Sequence, residues 1–448
     1  MKIENLIKQL GYNFQSDVEI DNLTIDSHLI NEKSLFIALK GEHFDAYNLI
    51  NEQLLSKVGF VFTYKYYPSN KVFAISDLNY LLPKIVKICY PNLFKNCQVI
   101  GLIGTSGKST TASIIYHCLN NLGKKVIYFG TGKIKYQQNE FETNNTTLKP
   151  IEFINNYLKI TNNDQIDYLI VELSSHGIIE NRLSFLNFDY LIYTNLGQDH
   201  LDYHQNMENY FNVKQAMFKS LPKNKVAIIN IDDNYAYRLI SNCNCKIITY
   251  NKDNFLKLNK LMLDYNYYNF NAAYKLLSYL KINHDEIINL FNNYKFNDGR
   301  SEIIKFANKT IIIDYAHSVN AFKNILMASR KITTKRLIVV FGCGGERQKS
   351  KRPQFGKLAK KYADIIILTN DNPRNENEDE IIDDILKGIK GAIIIKNRKN
   401  AIKQALNMAN SDDIVLIVGK GNEKYQLVKN KKIPFNDKEV VRMILNDK

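Results

Sequence analysis

The chain has 448 residues, 45% hydrophobic and 23% charged, with a formal net charge of +15. At roughly 100–200 residues per domain this is about two to four domains of ordinary globular composition, which excludes disorder as the main state. No apolar run reaches the roughly 18–20 residues of a bilayer crossing, and Met1 to Phe14 mixes charged and apolar residues without a signal-peptide core, so a cytoplasmic protein is expected. The excess lysine is spread along the whole length rather than gathered into a basic arm. It reads as background composition that draws anionic small molecules, not as a nucleic-acid surface. Six cysteines (Cys89, Cys97, Cys118, Cys243, Cys245, Cys343) lack C-x-x-C spacing, and reduced thiols are expected.

In chain order, short apolar runs at Ser34–Leu39 and Val58–Phe62 with helical stretches between them predict a small α/β unit over residues 1–95, whose end Pro83 and Pro91 punctuate. A second unit, 96–297, opens on a buried strand at Val99–Ile103 and continues with strand-length runs at Lys125–Phe129, Tyr168–Val171, Tyr190–Thr194 and Val226–Asn230. Alternation with helices favours a largely parallel sheet. A third unit, 298–448, begins near Asp298 and carries five runs, Thr310–Ile313, Arg336–Phe341, Asp364–Leu368, Ala392–Ile395 and Ile414–Val418. That spacing predicts a doubly wound, Rossmann-like domain. The fold class is therefore α/β in three domains.

Between the strand at Val99–Ile103 and a helix with an apolar face of Ile114, Ile115, Cys118, Leu119 and Leu122 lies Gly104-Thr105-Ser106-Gly107-Lys108-Ser109-Thr110. A glycine-rich turn entering a helix N-terminus aims backbone N–H groups at an anion. Lys108 would reach the terminal phosphates of ATP, and the Ser109 hydroxyl would ligate Mg²⁺. Leu102 occupies the first glycine position of the longer phosphate-loop pattern, so this is its compact form. After the next strands come Glu172-Leu-Ser-Ser-His176 and Asn195-Leu-Gly-Gln-Asp-His200-Leu-Asp-Tyr-His204. Residues just past parallel strands gather at one edge, so Glu172 and His200 are candidate Mg²⁺ ligands.

These three motifs resemble those of the Mur ligases, ATP-dependent amide-forming enzymes of peptidoglycan synthesis. Further matches follow in the family's order over nearly the whole chain: Asp298-Gly-Arg-Ser-Glu302, Asp314-Tyr-Ala-His317, Phe341-Gly-Cys-Gly-Gly-Glu-Arg347, Lys351-Arg-Pro353, Asp371-Asn-Pro-Arg374 and Gly419-Lys-Gly-Asn-Glu423. Within the family, Asp26-Ser27, Asn145-Thr-Thr147 and the D-N-P-R motif resemble the third ligase. That enzyme joins meso-diaminopimelate to UDP-N-acetylmuramoyl-L-alanyl-D-glutamate through an acyl phosphate. The resemblance implies a uridine-binding N-terminal domain, a central ATPase domain and a C-terminal domain supplying the amino acid. A monomer without a nucleic-acid partner is expected.

The resemblance also assigns roles. Ser109 and Glu172 would hold one Mg²⁺ and His200 would help hold another, and Lys214 matches the lysine that the family converts with CO₂ into a carbamate metal ligand. Ser27 and Glu42–Phe44 would face the uridine; Asn145, Thr146, Thr147, Ser174, Glu180 and Arg182 would line the muramoyl peptide. Arg300 and Asp314 match positions that contact ATP, and Arg347, Asp371, Asn372, Pro373, Arg374, Gly419 and Glu423 the diaminopimelate set. Arg374 suits the distal carboxylate of diaminopimelate, which L-lysine lacks, and Glu423 its ammonium. The chain departs from the family at Glu180 (usually Gln), His28 (usually Arg), Asn422 (usually His) and Val319 (usually Pro), and is shorter around Tyr250–Asn271. The alternatives are the same reaction with L-lysine, or a related ATP-dependent amide ligase such as the folylpolyglutamate synthetases.

Overall fold

In a computed structural model of the chain, the described residues are 1–41, 44–162, 164–252, 258, 263–296, 299–429 and 431–446. They divide into two units. The first takes Met1–Gly104, Ile115–Tyr193 and Gln205–Thr249; the second takes Thr105–Ile114, Thr194–His204 and Tyr250–Lys448. Asp298, where the third sequence segment was expected to begin, lies outside the described residues.

The first unit holds two sheets. β1 (Asn22–Thr24), β2 (Ser34–Ala38), β3 (Phe60–Thr63) and β4 (Val72–Ala74) pair in sequence order, all parallel. β2 and β3 are buried at every position, which is why they read as unbroken apolar runs. The helix Ile3–Leu10 buries Ile3, Leu6, Ile7 and Leu10, one stripe at helical spacing. Pro83 does not end this region as its sequence suggested. It lies buried inside the helix Leu78–Cys89, where its missing N–H leaves the Asn79 carbonyl without the usual helical donor; only Pro91 follows the helix end.

The larger sheet comprises β5 (Gln98–Ile103), β6 (Val126–Gly130), β7 (Lys133–Tyr136), β8 (Asn139–Glu142), β9 (Tyr168–Leu173), β10 (Tyr190–Tyr193), β11 (Val226–Asn230) and β12 (Lys246–Tyr250), in the order β12-β11-β10-β5-β9-β6-β7-β8. β11, β10, β5, β9 and β6 run parallel. β7 and β8 extend the edge as an antiparallel hairpin that the sequence reading did not contain.

In the second unit β13 (Glu302–Phe306), β14 (Lys309–Asp314), β15 (Leu337–Phe341), β16 (Ile365–Leu368), β17 (Ile393–Ile394) and β18 (Ile414–Val418) form a sheet ordered β13-β14-β18-β15-β16-β17. All pairs are parallel except β13 with β14. Alternate residues face opposite cores. Ile312, Val339 and Leu416 pack with the helices Val319–Ile332, Arg352–Tyr362 and Glu378–Leu386. Ile313, Val340 and Ile417 pack with Arg398–Met408 and Asp437–Asn446. Helices on both faces make this the expected doubly wound arrangement, with β18 inserted between β14 and β15. A hairpin, β19 (Tyr425–Val428) and β20 (Lys431–Pro434), follows β18. No disulfide joins any two of the six cysteines. Among the described residues no helix is long and apolar enough to cross a membrane.

Candidate active site

The phosphate loop follows β5, and the helix Lys108–Asn121 starts inside it. Two segments of the second unit brace the loop. Thr105 N–H donates to the Asn195 carbonyl at 2.8 Å and Ser106 N–H to Asn195 Oδ1 at 3.0 Å. Thr194 Oγ1 and Asn195 Nδ2 both donate to the Ser106 carbonyl, at 2.7 and 3.0 Å. On the other side Thr111 Oγ1 donates to Asn269 Oδ1 at 3.2 Å. Gly107 has φ +85°, and a Cβ there would stand 2.5 Å from Asn269 Oδ1, so both backbone and space demand glycine. Lys108, Ser109 and Thr110 are half-buried at the helix start, whose first-turn N–H groups are the kind of place where an anion is held. Lys108 Nζ donates to the Thr105 carbonyl at 3.1 Å, curled over its own loop. Asn269 escaped the sequence reading, because an asparagine within a helix carries no mark of what its side chain touches.

Thr194–His204 carries the predicted ligand His200, at φ +52°, with Nε2 3.6 Å from Asp199 Oδ2. In the first unit Glu172, at the end of β9, is buried and accepts from Tyr128 Oη at 2.5 Å, Thr131 N–H at 3.2 Å and Thr131 Oγ1 at 3.3 Å. Lys214, indistinguishable by sequence from the other lysines, is only 1% exposed. Its Nζ donates to the Gly104 carbonyl at 3.1 Å and lies 4.4 Å from the Tyr210 ring centre. Among the described residues no three His, Cys, Asp or Glu side chains gather as a metal site. The set expected from sequence is of mixed kind: the Ser109 hydroxyl, the Glu172 carboxylate, the His200 imidazole and Lys214. A hydroxyl such as that of Ser109 and a carboxylate such as that of Glu172 are each hard oxygen donors of the kind that suits Mg²⁺.

Thr147, Ser174, Glu180 and Arg182 are brought together in the first unit. Thr147 Oγ1 donates to the Glu172 carbonyl at 2.9 Å and accepts from Ser174 N–H at 2.9 Å. Ser174 caps the helix Ser175–Ile179. Arg182 donates from Nη1 to the Thr147 carbonyl at 2.6 Å and forks onto Glu180, Nε to Oε2 at 2.9 Å and Nη2 to Oε1 at 3.1 Å. Arg182 holds the Glu180 carboxyl below the usual glutamate range. Thr146 Oγ1 lies 3.1 Å from Thr131 Oγ1, and Asn145 is exposed nearby in sequence. Ser27 begins a short 3-10 turn after β1, capped by Asp26. Of Glu42–Phe44, Glu42 and His43 lie outside the described residues, and Phe44 is exposed.

The remaining predicted residues cluster past the C-terminal ends of the six-stranded sheet. Asp314, at the end of β14, accepts from Ser301 and Ala316 N–H at 2.7 and 2.8 Å; burial raises its pKa, with Arg300 opposing. The Arg300 guanidinium lies 4.4 Å from the Tyr315 ring centre. Burial, aided by Arg300, lowers the pKa of His317, and Asp199 works against it. After β16, Arg374 takes a left-handed φ of +54°, exchanges backbone hydrogen bonds with β19, and donates from Nη1 to the Gly345 carbonyl at 2.6 Å. The Pro373 segment is tied to the loop after β15 by Gly345 N–H donating to the Asn372 carbonyl at 2.9 Å. Gly419, at φ +118°, presses against the Asp371 carboxylate, leaving no room for a side chain. Burial raises the Asp371 pKa, Arg398 and Lys420 pulling it back. Asn372 Nδ2 donates to Glu423 Oε2 at 2.8 Å. Arg347 is exposed on the loop after β15.

Behind this cluster stand charges to which the sequence reading gave no role, although Arg352 and Lys420 fall inside its motifs. Buried Arg352 forks onto Glu376 at 2.7 Å twice and reaches the Gly344 carbonyl at 3.2 Å, fixing the loop that ends in Arg347. Arg398 pairs with Asp437, both fully enclosed, and donates to the Val418 carbonyl at 3.0 Å. Lys420 is likewise fully buried.

The sequence matches the Mur ligase middle domain over residues 103–325 and the Mur ligase, glutamate ligase domain over residues 299–421. It is 34% identical to UDP-N-acetylmuramoyl-L-alanyl-D-glutamate--2,6-diaminopimelate ligase 1 of Clostridium acetobutylicum, covering 100% of both chains. It is 36% identical to the correspondingly named ligase of Aquifex aeolicus over 95% of this chain and 94% of that one. A solved structure of a ligase with that name superposes with a TM-score of 0.70 at 24% identity, covering 100% of this chain and 99% of the other. The ADP complex of MurF ligase from Thermotoga maritima gives 0.66 at 19% identity, covering 90% and 95%.

Proposed function

Because the chain belongs to the Mur ligase family, we propose that it adds meso-diaminopimelate to the D-glutamate side-chain carboxylate of UDP-N-acetylmuramoyl-L-alanyl-D-glutamate, with ATP as co-substrate. Full-length similarity to relatives named for that reaction carries the reading. In the chemistry it implies, a carboxylate oxygen attacks the γ-phosphorus of ATP, giving an acyl phosphate and ADP. The amino-acid nitrogen then attacks the acyl carbon, phosphate leaves from the tetrahedral intermediate, and the nitrogen loses a proton.

The work of the protein in such a transfer is positioning and electrostatic. The helix start at Lys108–Thr110 receives the phosphates, and Lys108 turns from the Thr105 carbonyl to the transferring group. Ser109 and Glu172 would hold one Mg²⁺ and His200 would help hold another, and these ions would supply charge neutralisation. Lys214, as its CO₂-derived carbamate, is a further ligand whose charge sign is reversed from that of the amine. Arg300 and Asp314 contact ATP, Ser27, Asn145, Thr146, Thr147, Ser174 and Arg182 receive the UDP-sugar peptide, and Glu180 gives up Arg182 to it. Arg374 receives the distal carboxylate of diaminopimelate and Glu423 an ammonium, with Arg347, Asp371, Asn372, Pro373 and Gly419 shaping that pocket. Residues 1–95, 96–297 and 298–448 serve as the UDP-sugar, ATP and amino-acid domains of a cytoplasmic monomer.

The test is incubation with ATP, Mg²⁺ and the UDP-muramoyl dipeptide, with meso-diaminopimelate or L-lysine in parallel, and products read by mass spectrometry. A tripeptide product with diaminopimelate alone is expected. Product with lysine instead discards the specificity assigned to Arg374, and no product with either discards the reaction.

A further inference from the structure

We propose that Lys420 is the positioning residue of the amino-acid pocket: it sets the direction of Asn372 and Glu423 so that one glutamate oxygen faces the incoming ammonium group. This rests on the reading that the pocket takes an amino acid. Lys420 follows Gly419 at the end of β18 and is 0% exposed, so no substrate reaches it directly. A buried ammonium is tolerated only when paired and hydrogen-bonded. Here Nζ donates to Asn372 Oδ1 at 2.9 Å and to Glu423 Oε2 at 2.6 Å.

The consequences run outward through two side chains. Asn372 Oδ1 also accepts from Leu427 N–H, at 2.9 Å. Two donors converging on one amide atom require it to be the oxygen, which turns Nδ2 toward Glu423. Glu423 Oε2 thereby receives both Asn372 Nδ2 at 2.8 Å and Lys420 Nζ. Among the described residues Oε1 makes no hydrogen bond, and the Glu423 side chain is 26% exposed, so this oxygen is presented to a ligand. Lys420 also eases the crowding of two acids, since Glu423 disfavours the Asp371 charge and Lys420 favours it. Without the lysine, two carboxylates share a pocket and Leu427 N–H is the one donor left on Asn372 Oδ1 among the described residues.

The experiment is steady-state kinetics of Lys420→Met, Glu423→Gln and the double variant, with the amino acid that the wild type uses. Urea midpoints and nucleotide affinity serve as folding controls. A charge-assisted hydrogen bond is worth enough for Lys420→Met to raise the amino-acid KM by roughly 10–100-fold. KM for ATP and for the UDP-sugar peptide should stay within about two-fold on the same grounds, because Lys420 touches neither. In the Glu423→Gln background, Lys420→Met should add little, whereas a merely structural lysine would cost the same in both backgrounds. Should Lys420→Met not fold, the double variant against Glu423→Gln still tests the role, because that pair leaves no unpaired glutamate charge: a further large rise in the amino-acid KM there overturns it. An unchanged amino-acid KM, or losses that multiply, overturns the role of Lys420 alone. A wild type inactive with either amino acid overturns the functional reading, and this role with it.

Discussion

Two arginine–carboxylate forks stand near the candidate substrate positions, almost equal in geometry and opposite in setting. In the second unit Arg398 donates to Asp437 through Nε and Nη2, both at 2.8 Å, with neither side chain exposed. In the first unit Arg182 donates to Glu180 at 2.9 and 3.1 Å, with the two side chains 13% and 46% exposed. Water cannot replace a partner in the first fork, so it is part of the frame. It joins the Arg398–Met408 helix, the start of the Asp437–Asn446 helix and the Val418 carbonyl, from which Gly419–Glu423 departs. Water or a substrate anion can replace Glu180 in the second. Identical chemistry thus serves as a fixed brace in one unit and as an exchangeable seat in the other, and burial decides which.

The largest effect should come from breaking the brace. Arg398→Met leaves the Asp437 charge enclosed without its partner, and the expected loss is about 3–5 kcal/mol of unfolding free energy, read by urea denaturation. Arg398→Met with Asp437→Leu should recover most of it, because two apolar groups leave no stranded charge. Arg182→Met, by contrast, should cost no more than about 1 kcal/mol. Equal losses at the two arginines would erase the distinction drawn from burial.

Next in size is Arg374, which lies between the two extremes. Its backbone is fixed by hydrogen bonds to β19, and its guanidinium meets one carbonyl, that of Gly345. Such an arm is pre-aimed yet retains donors for a ligand. Arg374→Ala should raise the KM for diaminopimelate by roughly 10–100-fold while leaving nucleotide binding intact, the size of a lost charge-assisted hydrogen bond. Unchanged amino-acid kinetics would remove Arg374 from the pocket.

The same contrast explains what could be read from the residues alone. Central parallel strands, covered on both faces, must be apolar throughout, so Val99–Ile103, Val226–Asn230 and Ile414–Val418 announced themselves within a residue or so of β5, β11 and β18. The hairpin β7–β8 did not, since β8 is exposed at all four positions and has no apolar signature. β13, half-buried at an edge, and the β19–β20 hairpin were missed for the same reason. Motif residues expected to face a ligand, such as Lys108 and Arg374, were visible through their glycine and proline neighbours. The roles of the residues behind them were not, even where a motif contained them. Arg352, Arg398 and Lys420 are charged, and a charged letter predicts exposure unless its partner, 24, 39 or 48 residues away, is known to arrive. Pro83 misled because a proline can sit within a helix when packing holds it there.

The smallest expected effect tests the exchangeable fork. Glu180→Gln removes the carboxylate that competes for Arg182, and an exposed pair is worth about 0.2–1 kcal/mol, so KM for the UDP-sugar peptide should fall by up to about five-fold. The same variant should be less stable than the wild type by a similar amount near pH 7. The sign with pH follows from Arg182, whose hydrogen bonds depress the Glu180 pKa in the folded chain. A depressed carboxyl contributes its stability above the unfolded value of about 4.3, and loses it as pH falls through the lower folded value. The gap between wild type and Glu180→Gln in urea unfolding should therefore be full near pH 7 and close below about pH 4. A gap that persists in acid would mean that Glu180 is held by packing rather than by its charge, and the seat at Arg182 would then be as fixed as the brace at Arg398.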